Sequence, residues 1–78
     1  MRVRFFAAAA EAAGRDEQQI AAESTLGELL TTLRTEHGTE FARVLERCAI
    51  RVDGATVDDD HVIVGTATVD VLPPFAGG

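Results

Sequence analysis

Lysine is missing from this sequence: all seven basic side chains are arginine. A guanidinium stays protonated at ordinary pH, so the side chains offer no amine to acylate and only the α-amino group remains. Cysteine occurs once, at Cys48. That excludes an internal disulfide and a cysteine-built metal site, and it suits a reducing compartment. No apolar run approaches the length of a bilayer span, and no basic leader with an apolar core opens the chain. A cytoplasmic protein is expected, with no membrane partner. Basic charge is also scarce, since thirteen acidic residues face seven arginines for a net charge of −6. Such a surface repels phosphates, which excludes nucleic acid. It also favours basic partners, so association is expected to slow as salt screens the charges.

Side-chain chemistry is equally thin. Asp58-Asp59-Asp60 beside His61 lacks the glycine and the distal glutamate of a calcium loop, and reads as a solvated acidic turn. His37 falls at a helix C-terminus, where positive charge suits the dipole. Cys48 follows an apolar helical stripe and is expected in the core. No Ser-His-Asp or Cys-His pattern stands at a recognisable spacing, and no glycine-rich phosphate loop is present. No metal and no stably bound cofactor is expected.

What is present is one small domain of 78 residues, near the lower limit for a fold without staples. Residues 2–7 alternate as a strand, with Val3 and Phe5 on one face and Arg2, Arg4 and Phe6 on the other. Ala7 to Ala13 predicts a short helix or turn stopped by Gly14, and Gln18 to Ala22 a weak strand. Thr25 and Glu28 form a capping-box pattern ahead of an apolar stripe of Leu26, Leu29, Leu30 and Leu33. A second short helix over 40–47 would bury Phe41, Val44 and Leu45. Ala49 to Asp53 predicts a strand, Asp53-Gly54 a hairpin turn leading into Thr56 and Val57, and 61–64 a short extended piece. Thr68 to Leu72 is the last strand, stopped by Pro73. One good amphipathic helix among these strands predicts an α+β mixed sheet with the helix on one face.

The sequence ends Leu72-Pro73-Pro74-Phe75-Ala76-Gly77-Gly78. Two prolines stiffen the exit, and two glycines give a slim tip that a narrow channel would admit. Six extended residues reach roughly 20 Å. The main-chain carboxylate is then the one group left to carry chemistry. Converted to an acyl-adenylate with ATP and attacked by sulfide, it would become a thiocarboxylate on a tether.

This ending, with Arg4-Phe5-Phe6-Ala7 near the start, resembles the small subunit of molybdopterin synthase, the MoaD-like branch of the ubiquitin-like sulfur carriers. The resemblance spans essentially the whole chain. It implies a β-grasp domain over 1–72 and an extended tail over 73–78. It implies that Gly78 is adenylated by an ATP-using partner and given sulfur in a sulfurtransferase step, with Gly77 threading the channel. The acceptor would be precursor Z in the active site of the large subunit. Strand parity puts Phe6 and Leu72 on the open face of the sheet, beside Pro73, Pro74, Phe75 and Ala76, with Thr56 a further member of that partner surface. A carrier for thiamin-thiazole or cysteine biosynthesis, or a ubiquitin-like modifier joined to lysines, would use the same terminal chemistry. The resemblance departs at Gly65-Thr66-Ala67-Thr68, where relatives often carry an Asp-Gly-Asp-like turn.

Overall fold

The computed structural model describes residues 1–74. Its spine is a pair of strands from opposite ends of the sequence. Strand β1 (Arg2–Phe5) lies parallel to the last strand (Thr68–Leu72), in the register Arg2–Thr68, Val3–Val69, Arg4–Asp70 and Phe5–Val71. Between them the chain forms α1 (Ala8–Ala13), β2 (Glu17–Gln19), β3 (Ser24–Thr25), α2 (Leu26–His37), α3 (Thr39–Leu45), β4 (Ala49–Val52) and β5 (Val62–Ile63); the last strand is β6. The main sheet runs β2-β1-β6-β4, antiparallel at both outer pairings, and β3 pairs with β5 in a separate ribbon. A mixed sheet grasping one main helix is the β-grasp arrangement.

Parity decides the two faces. Val3, Phe5, Val69, Val71 and Val52 are buried, and they share the core with Leu26, Leu29 and Leu33 of α2 and with Phe41 and Leu45 of α3. Phe5 meets Phe41 edge-on at 5.6 Å between ring centroids, a favoured aromatic geometry. Leu30 and Val44, expected inside, are half-buried at the margin.

Helix α2 starts as its capping box requires. The Thr25 hydroxyl accepts from Glu28 N at 3.2 Å, and the Glu28 carboxylate accepts from Thr25 N at 2.9 Å. Two further N–H groups of the first turn donate to backbone oxygens of the acidic loop, Leu26 N to His61 O at 3.0 Å and Gly27 N to Asp59 O at 2.8 Å. Four orphan donors of the helix end are thus satisfied. A Cβ on Gly27 would sit 3.3 Å from Asp59 O, so the missing side chain permits this approach.

At the other end of α2, His37 does more than complement a dipole. Buried Gln18 of β2 donates Nε2 to both Glu36 carboxylate oxygens at 2.9 Å, and its Oε1 lies 2.8 Å from His37 Nε2. An amide oxygen only accepts, so that imidazole nitrogen carries the proton. The amide straps the outer strand β2 to the helix.

The structure corrects several boundaries. The chain leaves β1 at Phe5, because Ala7 takes φ 49° and turns directly into α1. Strand β2 is shorter and earlier than expected. Asp53 and Gly54 both have positive φ, 49° and 83°, as a type I′ turn demands. That turn closes only the Val52–Ala55 bridge, and no strand follows through Thr56 and Val57. Three consecutive aspartates have no apolar face with which to continue a strand. Cys48 is half-buried rather than enclosed. Gly65 and Thr66 form a turn, with Ala67 N donating to Val64 O at 3.1 Å and Gly65 N to the Glu23 carboxylate at 3.0 Å. No helix among the described residues is long and apolar enough to cross a membrane.

The capping box is testable by denaturant unfolding. Thr25→Ala should cost about 1 kcal/mol. The bonds from Thr25, its backbone N–H first, hold the Glu28 carboxyl below its ordinary range. A depressed carboxylate contributes stability above its unfolded value and loses it as pH falls through the folded one. Glu28→Gln should therefore flatten the acid limb of the stability profile relative to the parent chain.

Candidate functional site

The open face of the sheet is built in rows, because parallel and antiparallel pairings fix which side chains stand abreast. The row nearest the start of β6 holds Arg2 and Thr68. The middle row sets Arg4 beside Asp70 and Asp70 beside Arg51. Arg4 clamps Asp70 with two bonds, Nε to Oδ1 at 2.6 Å and Nη2 to Oδ2 at 2.8 Å. The bond and charge of Asp70 raise the pKa of Arg4 above its ordinary value. Arg2 pairs with Glu17 at 2.8 Å. Arg51 has no carboxylate within 4.0 Å among the described residues.

The last row is apolar. Phe6 N donates to Val71 O at 3.3 Å, which continues the β1–β6 register and brings Phe6 beside Leu72. Leu72 pairs in turn with Ala49. Phe6 and Leu72 are both half-buried. The Arg4 guanidinium lies 5.6 Å from the Phe6 ring centroid, a cation–π contact that ties the charged row to the apolar one. The tail leaves from this row.

Pro73 is buried and Pro74 is exposed. Both prolines line a groove of about 370 Å³ with Ala8, Val44, Arg43 and Arg47. Thr56 is exposed but stands away from Leu72. It follows the Val52–Ala55 bridge, and Val52 pairs with Val69 near the start of β6, not its end. Thr56 is therefore remote from the Phe6–Leu72 row. Phe75, Ala76, Gly77 and Gly78 lie outside the described residues.

Sequence reasoning missed the Arg4–Asp70 clamp and the place of Arg51. Parity alone assigns these residues a common face, but their adjacency needed the register. It also missed Val62 and Val64, which are 60% and 50% exposed on and next to the β5 ribbon. Among the described residues, no group of three or more His, Cys, Asp or Glu side chains gathers where a metal could be held.

Charge is divided between the ends of the molecule. Residues 23–28 and 53–61 hold six carboxylates and no arginine; the other seven carboxylates match the seven arginines. These two segments are knitted together at the start of β6 by the Gly27–Asp59 and Asp53–Thr68 bonds. The tail leaves from the other end of β6, roughly 13 Å along the strand. The whole net charge therefore sits at the pole away from the tail.

A family model described as the ThiS family matches residues 3–78. No curated protein sequence matches the chain. Among solved structures, a candidate molybdopterin converting factor, subunit 1, from Pyrococcus furiosus superposes with a TM-score of 0.81 at 23% identity, covering 94% of each chain. SAMP1 from Haloferax volcanii gives 0.77 at 22% identity, over 100% of this chain and 98% of that one. Small archaeal modifier protein 1 from H. volcanii gives 0.76 at 20% identity over 95% of both. At these identities the likeness is one of fold.

The charge division revises the expected salt dependence. At physiological ionic strength the screening length is about 8 Å, shorter than the separation of the poles. Replacing Asp58, Asp59 and Asp60 by asparagine should change the association rate of a partner at the Phe6–Leu72 row by less than about twofold. Stopped-flow binding with and without added salt measures this.

Proposed function

Because the chain belongs to the ThiS family, we propose that it is a sulfur carrier serving molybdopterin synthesis. In this reading the Gly78 carboxylate attacks the α-phosphorus of ATP on an adenylating partner, and pyrophosphate leaves. A sulfur nucleophile then attacks the acyl carbon, AMP leaves, and a thiocarboxylate remains. The tail enters the large subunit of molybdopterin synthase, where the sulfur passes to precursor Z. Gly77 keeps the approach free of side chains. ATP belongs to the activating partner, and this chain carries sulfur covalently without a bound cofactor.

The observation that carries the reading is the Phe6–Leu72 row at the root of the tail. Two large apolar side chains, half-covered on the open sheet face, give a partner an anchor just where the tail starts toward its pocket. The Pro73-Pro74 step and the slim Gly77-Gly78 ending support the same division between anchor and probe. A modifier function, with Gly78 joined to lysines of other proteins, is the second reading. It is favoured by the fold shared with SAMP1 and small archaeal modifier protein 1. Transfer to a thiamin-thiazole or cysteine precursor would use the same terminus with another acceptor.

Mass spectrometry of the chain from its native cell separates these readings. A sulfur carrier appears heavier by one sulfur-for-oxygen exchange, whereas a modifier appears as conjugates on other proteins. Deleting Gly78, or substituting Gly77→Val, should abolish sulfur transfer and leave thermal unfolding unchanged. A chain extended past Gly78 that stays active without trimming would refute the mechanism.

The two faces of β1 give a separate test. Phe6→Ala and Leu72→Ala should each weaken binding to the large subunit by about 1–3 kcal/mol with little effect on folding. Phe5→Ala should cost about 3–5 kcal/mol of stability. Calorimetric binding and denaturant melts of the three variants decide it.

A further inference from the structure

An activated acyl group reacts with whatever nucleophile reaches it first. The groups that capture such a carbonyl in a lasting bond are a lysine amine, the α-amine and a thiol; an acyl-imidazole formed on His37 or His61 would hydrolyse back to the acid. The sequence contains no lysine, and the seven guanidinium groups that replace it stay protonated.

The Met1 nitrogen is fastened into the sheet. It donates to Ile20 O at 2.6 Å, and Met1 O accepts from Ile20 N at 2.9 Å. Met1 is 3% exposed. To attack a carbonyl, this nitrogen must lose a proton, break its bond to Ile20 and swing out of a packed site. It also stands at the beginning of β1, whereas the tail leaves beyond the end of parallel β6.

Cys48 is the nucleophile nearest the tail, since its neighbour Ala49 pairs with Leu72. Its thiol is half-buried and donates to Val44 O at 3.2 Å. Burial pushes the thiol pKa up, which keeps the attacking thiolate scarce.

We infer that this chain is a donor that cannot accept: its activated tail reacts with other molecules, and neither with its own domain nor with a second copy. The inference rests on the proposed activation of Gly78. In the intercepted reaction, an amine would attack the acyl carbon, a C–N bond would form, AMP would leave, and the amine proton would pass to water. Among the described residues, neither the hydrogen-bonded Met1 amine nor the half-buried Cys48 thiol is free to begin such a capture. The acyl-adenylate is therefore lost only to water or passed to its sulfur donor, and not captured by its own chain. If the chain is joined to a target protein, it attaches singly, because a copy already attached offers the next no lysine and only an α-amine hydrogen-bonded to Ile20 O.

The test needs no activating enzyme. The full chain is released from an intein fusion as a Gly78 α-thioester, a chemical stand-in for the adenylate, and held folded at mildly alkaline pH. Intact-mass spectrometry follows its fate. Hydrolysis alone is expected, with no species that has lost the thiol without gaining water, and no covalent dimers. The Arg47→Lys variant places an amine beside the root of the tail. It should form self-acylated product about tenfold or more faster than the parent, as expected for an intramolecular reaction. Hydroxylamine, which cleaves thioesters and spares amides, sorts a Cys48 adduct from an amine adduct. Either adduct, formed by the native parent at the rate of the variant, overturns the inference. A variant that gains no product also overturns it, because amine supply would then not be what limits self-acylation. Because the thioester is made chemically, loss of the sulfur-carrier reading would leave this result standing.

Discussion

The parallel pairing of β1 with β6 is the constraint on which the rest of the molecule depends. Strands that far apart in sequence meet only if the intervening chain crosses over, and α2 with its neighbours makes that crossing. On the inner side the pairing aligns Val3 with Val69 and Phe5 with Val71, forming the floor on which Leu26, Leu29 and Leu33 pack. On the outer side the same register aligns Arg4 with Asp70 and brings Phe6 beside Leu72. Core and open face are thus two readings of one alignment. A slip of one residue would exchange them, burying arginine and exposing the valines.

The elements around this pair are held by polar contacts of different kinds. Backbone oxygens of the acidic loop close the first turn of α2, so the aspartates of 58–60 act through their main chain while their side chains stay in water. At the far end of the helix, Gln18 joins Glu36 and His37 to the outer strand. No buried side-chain polar atom among the described residues lacks a partner. That satisfies the condition for burying an amide in so small a core.

Legibility followed the range of the interaction. Helix α2 could be read from Thr25, Glu28 and four leucines because caps and stripes are local. The faces of β1 and β6 were legible for the same reason, from alternation over a few residues. Thr56 misled because a strong turn dipeptide, Asp53-Gly54, guarantees only the turn; whether strand continues beyond it depends on what the next residues can pack against. The Arg4–Asp70 clamp, the Gln18 strap and the anchoring of Met1 on Ile20 each join residues remote in sequence, and only the fold brings them together. The separation of charge was hidden for the same reason. Two acidic stretches distant in sequence add up only after the β3–β5 ribbon lays them side by side. The candidate site was half legible: its apolar pair came from parity, and its charged neighbours needed register.

The central position of β6 has a mechanical consequence. A partner that draws a tail inward pulls along the axis of the strand to which it is attached. Were β6 at an edge, a single ladder would carry the whole load. Here it is flanked on both sides, by parallel β1 and antiparallel β4, and buried Pro73 braces the exit. Traction along the strand loads both ladders in shear, so their bonds share the force and must fail together. The domain can therefore act as a stiff handle, transmitting tension to the tail without being unravelled by it.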